Sequence, residues 1–241
     1  MQVSISKQEI FRAEYKRINP NWRSSLEIYL SLIQERLKPG SIILDAGSGR
    51  NSLLQHISLP DNVKVLGLDF DRQALLDNKF VNYKIHGKLE ALPLQTSSCD
   101  LIVSSWVLEH VKQPYLIWSE IGRVLKQKGY FIFITPNKLN FVVWATRLLP
   151  WFIKNRLIAK TDERSKEDIY STYFRANSIR QINGIAKACG FQKELLCLNG
   201  DPTYVAFSKF TFKIGQVLEK ILDLKWFNRF KVHLIGVYRK L

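Results

Sequence analysis

SIILDAGSGR, residues 41–50, is the stretch that decides the fold. Ile42, Ile43 and Leu44 make a short apolar run, as expected of a strand buried on both faces. The run stops on a carboxylate, Asp45, and two glycines follow with one residue between them. Gly47 and Gly49 allow a tight turn and let a ligand reach the backbone without meeting a Cβ. Before this strand, Leu26, Tyr29, Leu30, Ile33 and Leu37 recur at helical spacing, and Pro39-Gly40 closes that pattern. After it, NSLLQHI reads as a short helix.

Further along the chain, strands are predicted in VKVLGLDFD (63–71), NYKIHG (82–87), CDLIVSSWVLEHV (99–111, running into a loop), YFIFITP (130–136), QKELLCLN (192–199) and HLIGVYRK (233–240). Helices are predicted in DRQALLDNKF (71–80), QPYLIWSEIGRVLKQKG (113–129), RANSIRQINGIAKACGF (175–191) and 209–224. Pro114 suits the first turn of the second of these, lysines crowd its end, and Gly129 is expected at its cap. Alternating strands and helices argue for a Rossmann-like α/β fold, a mostly parallel sheet with helices on both faces. One domain is expected over 1–241. It divides into an N-terminal helical lid (1–39), a cofactor-binding core (40–137), a helical cap insert after the fifth strand (138–176) and the C-terminal part of the sheet (177–241).

The chain has 241 residues, 46% of them hydrophobic, and a net charge of +15. Residues 1–136 hold 17 basic against 13 acidic side chains, and residues 137–241 hold 19 against 8. The second half therefore reads either as a solvated basic surface or as one facing an anionic partner: membrane, nucleic acid or acidic substrate. Cys99, Cys189 and Cys197 form no C-x-x-C pair, so thiols in a reducing compartment are expected. The N-terminal segment lacks the apolar core of a secretory signal, and no apolar run is charge-free enough to span a bilayer. A cytoplasmic location follows as the expectation, with peripheral membrane association left open.

In open α/β sheets, ligands sit at the carboxyl ends of the strands near the point where strand order reverses. A carboxylate beside the glycine turn disfavours a pyrophosphate and suits a cationic ligand. The dinucleotide pattern would also need glycine at Ser52, and the P-loop lysine is absent. A nucleoside carrying a positive centre and an α-amino group fits better, which describes S-adenosylmethionine. Asp69 ends the second strand, where an acid can hold two ribose hydroxyls or else cap the next helix. Phe70 can lie against an adenine ring.

ILDAGSGRN, GLDFD, LEALPLQTSSCDLIVSSWVLEHV, RVLKQKGYFIFITPN and YFRANSIRQINGIAKACGF together resemble the class I S-adenosylmethionine-dependent methyltransferases, closest to the UbiE/Coq5-type, ubiquinone-pathway group. The resemblance implies a seven-stranded sheet whose last strand is antiparallel, and methyl transfer from a sulfonium. It implies that Asp45, Gly47 and Gly49 contact the methionine side of the cofactor. Asp69 would hold the ribose, Phe70 would neighbour adenine, the Leu89 backbone would meet the base, and Ser104 would line the methionyl group. Lys88 stands where the family usually has an acid, and a charged lysine cannot accept from the adenine amino group. Either Glu90 substitutes, or the backbone alone reads the base.

His110, in LEHV after the fourth strand, is the candidate catalytic base for a hydroxyl acceptor; the competing reading is a structural histidine. Glu109 can orient it. Trp106 stands where some relatives carry a second acid, so no metal site is expected, and its indole is either an apolar wall for an acceptor or core. His86 reads as packed, His56 and His233 as lacking supporting neighbours, and Tyr15 as helix packing ahead of a lid role. The insert FVVWATRLLPWFIKNRLIAK (141–160) is apolar and basic, with Arg147, Lys154, Arg156 and Lys160 and no acid, and LKWFNRFKVHLI (224–235) repeats that chemistry. The expected acceptor is a small hydrophobic or lipid-like molecule, with O-methylation favoured because of His110. RNA, suggested by the basic charge, ranks below it for want of an RNA-binding module. A non-catalytic cofactor-binding protein is the third reading.

Overall fold

The computed structural model describes residues 7–143 and 170–241. Among them, the larger compact unit comprises 26–135, 172–197 and 234–241; the smaller comprises 7–25, 136–143, 170–171 and 198–233.

The larger unit is built on a seven-stranded sheet. Its strands are β1 (Ile42–Ala46), β2 (Lys64–Asp69), β3 (Tyr83–His86), β4 (Cys99–Ser105), β5 (Leu125–Pro136), β6 (Phe191–Asn199) and β7 (His233–Lys240). They lie in the order β3-β2-β1-β4-β5-β7-β6. The pairs β1·β2, β1·β4, β2·β3 and β4·β5 are parallel, and the last strands pair antiparallel. Strand order reverses between β1 and β4, which places the glycine turn and the loop after β4 at the same carboxyl edge. The flanking helices are α2 (Ser25–Gln34), α3 (Arg72–Asp77), α4 (Pro114–Val124) and α5 (Ile179–Ala188).

The expected helical stripe before β1 is realised over one helix: Tyr29, Leu30 and Ile33 of α2 are buried in one cluster with Ile43, Val103 and Ile134, and Leu26 packs partly buried against it, whereas Leu37 joins the cluster from beyond the helix end at Gln34. On α4, Trp118 is fully buried and meets the rings of Phe131, Phe191 and Tyr238 edge-on at 5.0–5.3 Å. Such edge-to-face contacts add to the burial of a large apolar area.

One boundary departs from the sequence reading. The helix expected over 113–129 ends at Val124, and β5 begins at Leu125. Leu125 and Val124 are fully buried, and Leu125 pairs with Cys99. Core burial therefore takes both residues before the lysines can extend the helix. Lys126-Gln127-Lys128 makes a register shift opposite Asp100, with Lys128 at φ +62°. Gly129 lies within the strand and does not cap the helix; a Cβ there would meet the Asp100 carbonyl oxygen at 2.9 Å.

The smaller unit contains α1 (Lys7–Ile18) and α6 (Lys209–Leu222). Phe11 of α1 stacks on Phe212 of α6 at 4.6 Å, and Tyr15 meets Trp22 edge-on at 5.1 Å. Tyr15 is thus packed, in line with the packing expectation. Arg12 holds the buried Asp201 at 3.0 Å. Asn137 and Asn140 donate to the carbonyls of Arg229, Phe230 and Lys231, tying the chain after β5 to the segment before β7. His233 does have neighbours: its Nδ1 lies 2.9 Å from Ser25 Oγ, and Tyr204 packs edge-on against its ring. Burial lowers its pKa to about 4, so it is buried neutral.

Candidate functional site

The site is built on the turn after β1. Gly47 has φ +85° and Gly49 φ +50°, both in the left-handed region. A Cβ at Gly47 would strike Val107 of the loop after β4, while at Gly49 it would meet nothing within 4 Å. Gly47 therefore lets the two loops close on each other, and Gly49 leaves open space beside bare backbone. The N–H groups of Gly47 and Ser48 donate to the Leu68 carbonyl at 2.8 and 3.0 Å, fixing the turn to the end of β2.

Asp69 bridges the same two elements. Its Oδ2 accepts from the Gly49 N–H at 2.8 Å and its Oδ1 from the Asp71 N–H at 2.9 Å. The helix cap is a different residue, Asp71, whose side chain accepts from Ala74. Each Asp69 oxygen keeps acceptor capacity for a hydroxyl. Burial raises its pKa, and the backbone N–H groups of Asp71, Gly49 and Phe70 oppose the rise.

Asp45, read as the carboxylate that ends the first strand, is held inside the fold. The side chain is buried and accepts from Ser52 Oγ at 2.5 Å. Burial pushes its pKa up to about 6; the Ser52 hydroxyl lowers it and the Asp69 charge raises it. The carboxyl therefore titrates close to neutral pH. Ser104, at the end of β4, is also buried, and its hydroxyl donates to the Ala46 carbonyl at 3.0 Å.

Phe70 is 56% exposed at the end of β2. His86 does not pack inward as expected: it is exposed, with Nε2 3.0 Å from the Phe70 carbonyl oxygen. Lys88 is exposed, and its carbonyl accepts from the Ala91 N–H at 3.3 Å; Leu89 and Glu90 are half-buried. The segment after them is clamped. Glu120 accepts from the Leu92 N–H at 2.8 Å, and Arg123 donates to the Leu92 and Leu94 carbonyls at 2.8 Å each.

After β4, Trp106 adopts φ +56°, a conformation that costs a bulky L-residue and is found at functional loops. Its N–H donates to the Ile134 carbonyl at 3.0 Å. His110 is partly exposed, and its Nε2 lies 3.9 Å from Glu109 Oε1, beyond hydrogen-bond range. Glu109 is itself buried. Its Oε2 accepts from Thr135 Oγ1 at 3.0 Å, and Thr135 accepts from Asn177 Nδ2 at 2.7 Å. The Glu109 carbonyl takes the N–H groups of Tyr173 and Phe174. Among the described residues, no group of three or more His, Cys, Asp or Glu side chains is placed to hold a metal.

Three supports escaped the sequence reading. Ser52 entered it only as a missing glycine, yet it caps a 3-10 turn and bonds Asp45. Asn78 is fully buried: its Nδ2 donates to the carbonyls of Ser48 and Gly49, and its Oδ1 accepts from Phe80 and Val81. The Glu109–Thr135–Asn177 chain joins residues far apart in sequence. Only the identity of a short amide after a helix hinted at Asn78, and nothing local pointed to the other pairings.

The arrangement offers an open glycine backbone, an acceptor-only carboxylate beside it and a titrating buried carboxyl behind it. That donor set fits a nucleoside with two vicinal hydroxyls and a cationic tail. Comparison with known proteins agrees. The family described as "Methyltransferase domain" matches residues 44–133. A "Probable S-adenosylmethionine-dependent methyltransferase" of Mycolicibacterium smegmatis is 32% identical over 108 residues, which is 42% of this chain and 40% of that protein. A malonyl-[acyl-carrier protein] O-methyltransferase of Marinomonas is 31% identical over 109 residues, with the same shares, 42% and 40%. The chain thus matches less than half the length of either relative. In fold, it is similar to an S-adenosylmethionine-dependent methyltransferase of Mesorhizobium loti, with a TM-score of 0.56 at 19% identity, covering 87% of this chain and 96% of that one. Over residues 44–133 the chain is thus similar to the methyltransferase domain family, and its fold is similar to that of S-adenosylmethionine-dependent methyltransferases.

Proposed function

We propose that this protein transfers a methyl group from S-adenosylmethionine to a hydroxyl of a small hydrophobic or lipid-like acceptor. The observation that carries the reading is Asp69, fixed by the Gly49 and Asp71 N–H groups beside the open glycine turn. In this reading Asp69 accepts from the ribose hydroxyls, and Phe70 and the Leu89 backbone neighbour the base. The Gly47–Gly49 turn and Ser104 line the methionine end, and Asp45 faces its cationic groups. Lys88 contributes backbone only, since its ammonium has no acceptor to offer adenine. The UbiE/Coq5-type motifs support a small-molecule acceptor, and the O-methyltransferase relative supports oxygen as the atom that takes the methyl group.

When bound, the cofactor supplies a methyl group already activated on a sulfonium. The protein's part is then positioning and proton removal. His110 is the group suited to take the acceptor's proton: it is partly exposed in the loop that Gly47 packs against, with the buried Glu109 carboxyl 3.9 Å from its Nε2. Trp106 packs, partly buried, against the apolar core.

Turnover of methyl-labelled cofactor with phenolic, prenyl and acyl-chain hydroxyl acceptors, and with RNA, tests this proposal. The expected result is transfer to one lipophilic class, with His110→Ala lowering kcat about 100-fold or more and leaving the KM for the cofactor unchanged. Transfer to RNA alone, or none despite cofactor binding, rejects it.

A further inference from the structure

Helix α6 carries two apolar faces. Phe212, Gly215 and Leu222 point into the smaller unit and are buried. On the opposite side, Phe210, Ile214, Val217, Ile221 and Leu224 follow one another at steps of four and three residues, and all are exposed, Phe210 at 73%. The stripe continues into Trp226, 84% exposed, and Phe227. Fourteen helical residues give it a length of about 21 Å. A single-sided helix would have polar residues here.

The charge around the stripe says what covers it. Lys209, Lys213 and Lys220 fall along one flank of the stripe, and Lys225 follows its end; all four are exposed. The helix holds one acid, Glu219, and that side chain is buried on the other face. Asp223, just beyond, is paired with Lys231 at 2.7 Å. An apolar ridge flanked by lysines, with a tryptophan at one end, matches the boundary between acyl chains and anionic headgroups. A second copy would bring like charges together, and a nucleic acid would leave the aliphatic ridge in water. Among the described residues no helix is long and apolar enough to cross a bilayer, so the geometry is that of a helix lying in its surface.

We propose that the exposed face of α6, with Trp226 and Phe227, is a docking surface for anionic lipid bilayers. It deepens the reading of a lipid-like acceptor and rests on that reading for its purpose, because a surface-bound enzyme meets such an acceptor where it is concentrated.

Flotation of the intact protein with vesicles of phosphatidylcholine, alone or mixed with phosphatidylglycerol, tests it, comparing wild type with Phe210→Gln/Val217→Gln. Both side chains are exposed, so the variant keeps its core, and calorimetry with S-adenosylmethionine checks that it is folded. Binding to the mixed vesicles that weakens with salt and falls at least about tenfold in the variant, at unchanged cofactor affinity, is the expected result. Equal flotation of the two proteins, or flotation that ignores phosphatidylglycerol, overturns the proposal. So does a wild-type dimer, seen by light scattering, that the variant abolishes without any vesicle binding. Vesicle binding without methyl transfer to any acceptor would retain the surface and remove the function; transfer to a soluble acceptor without vesicle binding would do the reverse.

Discussion

At the carboxyl end of β1, Asp45 links the structure to a measurable pH dependence. Its pKa of about 6 reflects burial more than its neighbours' charges. A cationic ligand favours the ionised form, so in the complex the pKa lies lower than in the free protein. Between those two values binding must expel a proton, and lower pH opposes it. Affinity for S-adenosylmethionine should therefore be level above pH 6 and fall below it, by up to about tenfold per pH unit. Asp45→Asn should bind more weakly at pH 8 and lose most of that slope. Calorimetric titrations from pH 5 to 8 check this; a slope of opposite sign in the wild type contradicts it. The sequence revealed the carboxylate but not its raised pKa, because burial comes only with the folded sheet, which pairs Asp45 with Val103 of β4 and brings Tyr29 of α2 near it.

Among the elements, the glycine turn is held from outside itself. Asn78, at the end of α3, closes two carbonyls of the turn and two N–H groups of the next loop. Removing its side chain leaves these groups without partners, with Ser48 and Val81 buried, at a cost of about 1–3 kcal/mol. Asn78→Ala should lower the unfolding free energy by that amount and weaken cofactor binding through the loosened turn. Chemical denaturation read alongside binding checks both; a stable variant with loose binding alone would assign Asn78 to the ligand instead. Strands β1, β2 and β4 were legible because buried parallel strands carry near-continuous apolar runs, and β1 and β2 close on an acid at or beside their last residue. The end of α4 was not, because the lysines at 126 and 128 suit a helix terminus as well as they suit an exposed bulge. Which one forms depends on Leu125 meeting Cys99, a contact made only once the sheet exists. For the same reason His86 was misread: an edge strand exposes residues that a central strand would bury.

For the whole molecule, the order of elements was enough to place the site at the carboxyl edge, since the strand order reverses there whatever the side chains are. The polar supports were not legible, because Glu109, Thr135 and Asn177 come from three separate segments. The reading of 141–160 as an apolar and basic insert falls, apart from 141–143, outside the described residues. The unbalanced charge of the second half was plain in composition, but its arrangement beside an exposed ridge on α6 needed the helix's two faces to be told apart.

The most direct test of a nucleoside site at the glycine turn is calorimetry of S-adenosylmethionine binding to the intact protein, wild type against Asp69→Asn. Asparagine keeps the shape but gives up the charge and one acceptor oxygen. Wild type should bind one equivalent, and the variant should bind about 10- to 100-fold more weakly, the loss expected for hydrogen bonds to a charged group. Equal affinity in the two proteins, or no binding by the wild type, would contradict the account.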